Sequence, residues 1–240
     1  MRTYKISLKE AYGIEGGQLE CILCESPFDA PAPDWKRPAV IVVPGGAYWG
    51  VSTREGEPVA SQFLARGFQT FILTYLCSPD GVSYPEQLIE LSAAVDYVKK
   101  HAAEYNVNAD EVFVVGFSAG GHLTADLAVE YASVKEKSGL ELDCRPKAVG
   151  LGYPVISSKA GHMDSYTNLL SGYTEEARGE LMKSLDLDQE RYAARIYLDD
   201  EHGHLRPFRQ FAALRFSAGK AQNSLRAACI SAGRARRFKL

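Results

Sequence analysis

A serine set between two glycines, in Gly116-Phe-Ser118-Ala-Gly120, is the feature of this sequence best suited to chemistry. An apolar, β-branched run from Glu111 leads into it and an Ala-rich helical segment follows. In this strand-turn-helix setting the G-x-S-x-G pattern places the serine on a cramped turn, where a Cβ on either glycine would meet neighbouring backbone. The following helix directs its free N–H groups at the same place, where negative charge would develop. The pattern predicts Ser118 as a nucleophile that attacks a carbonyl group.

A glycine-rich loop lies upstream, in the run Pro44-Gly-Gly-Ala-Tyr-Trp-Gly50, directly after the apolar residues 39–43. A loop at this position, before a serine turn of this kind, commonly supplies further N–H groups to an oxyanion. It lacks both G-x-G-x-x-G and a following Gly-Lys-Ser/Thr, so a dinucleotide or phosphate site is not predicted.

The elements that must position these two loops alternate along the chain. Hydrophobic periodicity predicts strands over residues 4–10, 17–26, 39–43, 68–75, 111–117 and 147–154, and helices over 57–66, 87–105 and the segment after Ser118. Gly16-Gly17 is typical of a hairpin turn, which gives an antiparallel edge. Residues 163–185 are predicted to form short helices, a lid over the site. The sequence therefore predicts an α/β protein with a mostly parallel, doubly wound sheet.

Composition sets the broad class. The 240 residues, 46% hydrophobic and 24% charged, suit one globular domain. There is no apolar run of about 18 residues and the first residues are polar, so neither a membrane span nor a signal peptide is predicted, and we expect a cytoplasmic protein. Cys21 and Cys24 have C-x-x-C spacing, but positions i and i+3 of a strand face opposite sides. No metal and no cofactor are predicted.

The motifs together resemble a known family. The Pro44–Tyr48 loop, the run Arg54-Glu-Gly-Glu-Pro-Val-Ala60 and the segment from Gly116 to Leu123 are similar to those of α/β-hydrolase esterases of the acetyl-xylan and feruloyl esterase type, related to the hormone-sensitive-lipase group. The resemblance covers about residues 17–189. It implies Ser118 as the nucleophile, the N–H groups of Gly46, Ala47 and Ala119 as the oxyanion hole, and His122 as a structural residue.

The resemblance also implies an Asp and a His from two late strand ends, in the chain order Ser, Asp, His. The sequence offers only a crowded run, Leu198-Asp-Asp-Glu-His-Gly-His204, and no histidine after it. Asp200 and His204 are weak candidates for acid and base. His101 and His162 are assigned no catalytic role, because the first ends a predicted helix and the second belongs to the predicted lid.

The C-terminal part of the sequence departs from the rest in composition. Residues 204–240 contain nine Lys and Arg and no Asp or Glu. With codons chosen freely, residues 191–198 can be read one nucleotide later as VTPPVYIW, an extended apolar strand, and residues 234–237 can yield the run GHG. We therefore predict a frameshift near residue 190. On this hypothesis the C-terminal strands are missing or aberrant and the strand over 147–154 becomes a bare edge of the sheet.

The domain assignment follows from these points: an α/β-hydrolase domain over residues 1–189, with a lid or cap at about 155–189, and an aberrant segment over 190–240. We predict a serine ester hydrolase acting on acyl esters of small alcohols or sugars. The alternatives are an arylformamidase or peptidase-like hydrolase and a catalytically impaired fragment. The expected partner is a small-molecule ester. A nucleic acid is not expected, because Arg234, Arg236 and Arg237 lack interleaved aromatic residues. A membrane is not expected either.

Overall fold

The computed structural model describes residues 1–25, 35–159 and 162–187, together with the backbone of three short strands further on. Residues 190–240, apart from those three strands, therefore lie outside the described residues. The proposed frameshift and the candidates Asp200 and His204 fall there.

A seven-stranded sheet forms the centre of the described structure. Its strands, in chain order, are β1 (Arg2–Ser7), β2 (Gln18–Leu23), β3 (Arg37–Val43), β4 (Gln69–Thr74), β5 (Val107–Phe117), β6 (Ala148–Gly152) and β9 (Ala228–Ser231). The spatial order is β1-β2-β4-β3-β5-β6-β9. Strands β4, β3, β5 and β6 run parallel to one another. The two remaining strands, β7 (Tyr197–Asp199) and β8 (Leu205–Pro207), pair with each other in a separate antiparallel sheet.

Seven α-helices accompany the strands in the part of the chain that the structure describes. They are α1 (Leu8–Tyr12), α2 (Glu57–Leu64), α3 (Glu86–Lys100), α4 (Ser118–Glu130), α5 (Val134–Ser138), α6 (Met163–Leu169) and α7 (Glu175–Leu185). Helices α2 to α5 connect the parallel strands. The continuous apolar run of β3 is buried on both faces of the sheet, as its sequence predicts. The larger cluster of buried side chains includes those of α3 and α4, and a smaller cluster includes those of α2. This arrangement confirms a mostly parallel α/β sheet with helices on both faces.

The N-terminal hairpin differs from its prediction in one respect. Strands β1 and β2 pair antiparallel, as expected, but residues 8–12 form α1 rather than continuing the strand. The Ser7 side chain accepts the Glu10 N–H, and Gly13 ends the helix in the left-handed conformation. Leu8 is fully buried. A capped turn that buries a leucine outweighs the strand-like alternation there.

The far edge of the sheet also differs from its prediction. Strand β6 is not a bare edge, because β9 pairs with it over Ala148–Leu151. The pairing is antiparallel, in contrast to the parallel order of β4, β3, β5 and β6. The β6 backbone groups that would otherwise be open to another chain are therefore occupied by β9.

In the part of the chain that the structure describes, no helix combines the length and the apolar character needed to cross a membrane.

The raised pKa values of two buried carboxyl groups in the helices predict how the stability of the protein depends on pH. Asp126 of α4 and Glu90 of α3 are buried, and burial raises the pKa of each to about 8. Between the ordinary carboxyl pKa, about 4, and about 8, the folded protein therefore binds more protons than the unfolded chain. The free energy of unfolding should fall as pH rises through that window.

We expect Asp126→Asn to stabilise the protein at pH 8, because the amide has no charge to bury. The free energy of unfolding should rise by on the order of 2 kcal/mol, and the melting temperature should rise with it. At pH 5 the folded carboxyl is already protonated, so the gain should be small. The matched control is Asp110→Asn, at an exposed strand position. Thermal melts of both variants across pH 5–9 test this. A gain of equal size at both pH values would contradict it.

Candidate active site

Ser118 lies at the junction of β5 and α4. It is the first residue of the helix and has a positive φ of 51°, a left-handed conformation that is unusual for a residue with a side chain. Its side chain is half-buried. The Ser118 carbonyl accepts the Val155 N–H at 3.1 Å, which ties the turn to the loop after β6. The sequence-predicted nucleophile therefore lies on a strained strand-to-helix turn at the carboxyl end of a central parallel strand.

The two glycines of the motif are required by close backbone approaches. A Cβ on Gly120 would clash with the carbonyl oxygens of Val43 and Pro44. A Cβ on Gly116 would clash with the Gly120 carbonyl and the Thr124 hydroxyl. Gly120 therefore allows α4 to pack directly on the end of β3, where the glycine-rich loop begins.

The glycine-rich loop has the second cluster of unusual backbone angles. Gly46, Ala47 and Tyr48 have φ values of 134°, 54° and 55°. No described residue accepts a hydrogen bond from the backbone N–H groups of Gly46, Ala47 or Ala119. These are the three oxyanion donors that the resemblance implies, and they remain candidates for that role. An oxyanion hole needs donors of this kind, which are free before the reaction and fixed in position.

Side chains from three other segments of the chain hold this loop. Asn168 of α6 donates to the Ala47 carbonyl at 2.8 Å, and the Tyr75 hydroxyl donates to the Pro44 carbonyl at 2.8 Å. The Gly45 N–H donates to the Glu55 carboxylate at 2.7 Å. Because the loop backbone is strained, such ties are needed to keep it in one conformation.

His122 is a fully buried structural residue of α4. Its Nε2 lies 3.1 Å from the Leu185 carbonyl, and its Nδ1 lies 2.7 Å from the Tyr48 hydroxyl. A carbonyl only accepts, so Nε2 carries the proton and Nδ1 accepts from Tyr48. Burial lowers the pKa of His122 to about 4, so the ring is neutral at ordinary pH. It connects the glycine-rich loop, the helix of Ser118 and the end of α7.

Tyr48→Phe should therefore destabilise the fold. Removing the hydroxyl leaves a buried His122 nitrogen without its partner, and we expect a loss of about 1–3 kcal/mol in unfolding free energy. Tyr131→Phe, at a half-buried tyrosine after α4, is the matched control and should change stability by less than about 0.5 kcal/mol. Denaturant unfolding of both variants measures the difference. Equal stability of the two variants would contradict the role of this hydrogen bond.

The two other histidines with described positions, His101 and His162, do not lie beside Ser118. His101 follows the end of α3, packs flat against the Tyr97 ring and contacts the Tyr97 carbonyl through Nδ1. It precedes the amino end of β5, whereas Ser118 follows the carboxyl end. His162 is exposed at the start of α6. None of the described histidines forms a hydrogen bond with Ser118 Oγ. The weak candidates Asp200 and His204 lie outside the described residues.

The predicted lid is firmly packed against the body where it is described. Tyr166, Leu169 and Leu170 are buried in the main core. Within the segment itself, Asp186 accepts hydrogen bonds from the Ser158 N–H at 2.6 Å and the Ser158 hydroxyl at 2.8 Å. Helix α6 therefore holds the glycine-rich loop directly through Asn168, and the end of α7 holds it indirectly, through the Leu185 carbonyl and His122.

Sequence reasoning missed two residues beside the nucleophile, Glu55 and Tyr153. The Tyr153 hydroxyl donates to the Glu55 carboxylate at 2.8 Å, and the Tyr153 ring lies 5.8 Å from that of Phe117. Two signals could have found them: Glu55 lies in the run 54–60 that carries the resemblance, and Tyr153 comes directly after a parallel strand, and the carboxyl ends of such strands meet at one edge. In the described ranges, no cluster of three or more His, Cys, Asp or Glu side chains is arranged to hold a metal ion.

Comparison with known proteins places this geometry in a family. The sequence model of the BD-FAE family matches residues 29–149. The endo-1,4-beta-xylanase B of Butyrivibrio fibrisolvens is 36% identical over 143 residues, which is 57% of this chain and 22% of that protein. The acetylxylan esterase of Xylanibacter ruminicola is 30% identical over 163 residues, 66% of this chain and 30% of that protein. The matched segment thus spans about a quarter of the length of these relatives.

One solved structure is similar over a larger share of both chains. The acetyl ester-xyloside bifunctional hydrolase from Caldicellulosiruptor lactoaceticus superimposes with a TM-score of 0.64 at 26% identity, covering 78% of this chain and 69% of that one. The α/β-hydrolase fold and the resemblance to acetyl-xylan-type esterases are thereby confirmed. The assignment of individual site residues rests on the geometry above.

Proposed function

The chain belongs to the BD-FAE family, and from that premise we propose that it is a serine carboxylic-ester hydrolase that cleaves acetyl esters, including those of acylated sugars. The observation that carries the proposal is the strained turn at Ser118, with the glycine-rich loop packed directly beside it. The reaction class also agrees with the relatives, which include an acetylxylan esterase and an acetyl ester-xyloside hydrolase.

In the proposed reaction, Ser118 Oγ attacks the ester carbonyl carbon, and the negative charge passes to the carbonyl oxygen. The N–H groups of Gly46, Ala47 and Ala119 donate hydrogen bonds to this oxyanion and stabilise it, assisted by the positive end of the α4 dipole. The Ser118 proton is lost as its Oγ bonds to the carbon, the C–O bond to the alcohol breaks, and the departing oxygen takes up a proton, which leaves an acetyl group on Ser118. Water then adds to the acyl carbon, the bond to Ser118 Oγ breaks, and acetate, a proton and the free Ser118 hydroxyl are the products.

Two exposed aromatic residues support a sugar as the alcohol. Trp49, in the glycine-rich loop, is 64% exposed, and Tyr153, in the loop after β6, is 58% exposed. Large exposed rings with a polar edge are well suited to pack against the flat, partly apolar face of a sugar. They lie on the two loops that flank Ser118, where a subsite for the alcohol part of the ester is expected.

A catalytically impaired fragment of such an esterase is the second candidate. The observation that favours it is that the described histidines do not reach Ser118. A serine hydroxyl at its free pKa is a poor nucleophile and needs a base to take its proton.

Covalent labelling tests the nucleophile. We expect an aryl-activated phosphonate to modify Ser118 alone, because among the serines that the structure describes only Ser118 has a left-handed backbone conformation, next to free N–H donors. Peptide mapping by mass spectrometry locates the label. Ser118→Ala should abolish labelling, whereas Ser61→Ala, at an exposed serine of α2, should leave it unchanged. A label that persists in Ser118→Ala would refute the assignment.

A further inference from the structure

Glu55 lies between the two loops that flank the candidate nucleophile. It ends a short 3-10 turn, Thr53–Glu55, before α2. One carboxylate oxygen accepts the Gly45 N–H at 2.7 Å, and the other accepts the Tyr153 hydroxyl at 2.8 Å. We propose that Glu55 is a positioning residue for hydrolysis at Ser118, whose carboxylate fixes the glycine-rich loop and the loop after β6 against each other. This inference rests on the proposed function.

The first contact sets the position of the candidate oxyanion donors. Gly45 is packed so closely on the nucleophile that a Cβ there would lie 2.8 Å from the Ser118 Cβ and 2.6 Å from the Phe117 carbonyl oxygen. Gly46, the first candidate donor, is the next residue, so any shift of Gly45 moves it. A hydrogen bond to an ionised carboxylate is shorter and about twice as strong as one between neutral groups.

The second contact reaches the opposite side of Ser118. Tyr153 connects β6 to Pro154, with a positive φ of 36°. Two residues on, the Val155 N–H bonds to the Ser118 carbonyl. Burial, and to a lesser extent the hydrogen bond to Glu55, raises the pKa of Tyr153 to about 12. The phenol therefore stays protonated and donates its hydrogen. Glu55 therefore holds a donor from each of the two loops.

The strain in the glycine-rich loop explains why this contact should affect the reaction. Ala47 and Tyr48 both have left-handed backbone angles, which are unfavourable for residues with a side chain and persist only if the surroundings hold them. Asn168 and His122 hold the far side of the loop, through Ala47 and Tyr48. Among the described side chains, Glu55 alone binds the Gly45 N–H, on the side that touches Ser118.

The test uses the full chain and p-nitrophenyl acetate. Since misplacement by about 1 Å can cost 100-fold in rate, we expect Glu55→Ala to lower kcat by about 10- to 100-fold with KM changed less than about threefold. Glu55→Gln keeps an oxygen for the Gly45 N–H and an amide for the Tyr153 oxygen, so it should recover most of the rate. Glu57→Ala, at an exposed carboxylate two residues on, should match the unmodified chain.

Hydrogen exchange gives a readout that does not depend on turnover. In Glu55→Ala the amides of residues 44–50 and 153–158 should exchange faster, with no change in the core strands.

Unchanged exchange in both segments would overturn the proposal, and so would a Glu55→Ala variant that keeps the rate of Glu57→Ala. Equal loss in Glu55→Gln and Glu55→Ala, matched by a lower melting temperature, would also overturn it. Equal rates for the unmodified chain and Ser118→Ala would instead overturn the proposed function itself.

Discussion

A version of this protein whose coding sequence is read one nucleotide later from about codon 190 should hydrolyse alkyl acetates about 10⁵- to 10⁶-fold faster than the present chain. Removing the histidine from a serine-histidine-aspartate unit costs roughly 10⁶ in turnover, while the oxyanion hole and binding still retain roughly 10³ to 10⁴ over water. In the present chain the candidate oxyanion donors are in place, but no described histidine reaches Ser118. We therefore expect slow hydrolysis of activated aryl esters and almost none of alkyl esters.

The measurement is alkyl-acetate turnover for both versions, alongside His202→Ala and His204→Ala in the present chain. On our hypothesis these two variants match the unmodified chain, because the run from Asp199 to His204 places acid and base too close together in sequence to come from separate strand ends. High alkyl-esterase activity in the present chain, abolished by either histidine substitution, would be the opposite result. It would show that His202 or His204 is the base and would refute the frameshift.

Gly120→Ala should have the largest effect on stability, a loss of about 3 kcal/mol or more. The added Cβ would meet the carbonyl oxygens of Val43 and Pro44, which are backbone atoms in a buried strand end and cannot rotate away. Overpacking of a core typically costs about 1–3 kcal/mol, and here no flexible side chain can absorb the clash. To relieve it, α4 must move off the end of β3, and this separates Ser118 from the glycine-rich loop.

The chain offers a matched control in Gly179, an exposed glycine of α7 whose added Cβ would have no neighbour within 4 Å. Gly179→Ala should stabilise the protein by about 0.5–1 kcal/mol, because alanine favours a helix over glycine. Denaturant unfolding of the two variants should therefore shift in opposite directions. A Gly120→Ala variant that melts like the unmodified chain would contradict the close packing of α4 on β3.

The sequence by itself determined the parts of this protein that depend on short-range patterns. Buried parallel strands appear as β-branched runs, so the run at residues 39–43 predicted β3, and the glycines around Ser118 predicted the turn because only a tight backbone approach requires them. The N-terminal helix α1 was missed, because a five-residue capped turn has too little periodicity to distinguish it from a strand.

Only the tertiary structure decided which groups surround Ser118. Glu55, Asn168 and Tyr153 are separated by up to 113 positions along the chain, and no spacing rule relates them to Gly45 or Ala47. The role of His122 likewise depends on Tyr48 and on the Leu185 carbonyl, from two distant segments. Long-range contacts of this kind arise when parallel strands bring their carboxyl ends to one edge, so a pattern local in sequence cannot encode them.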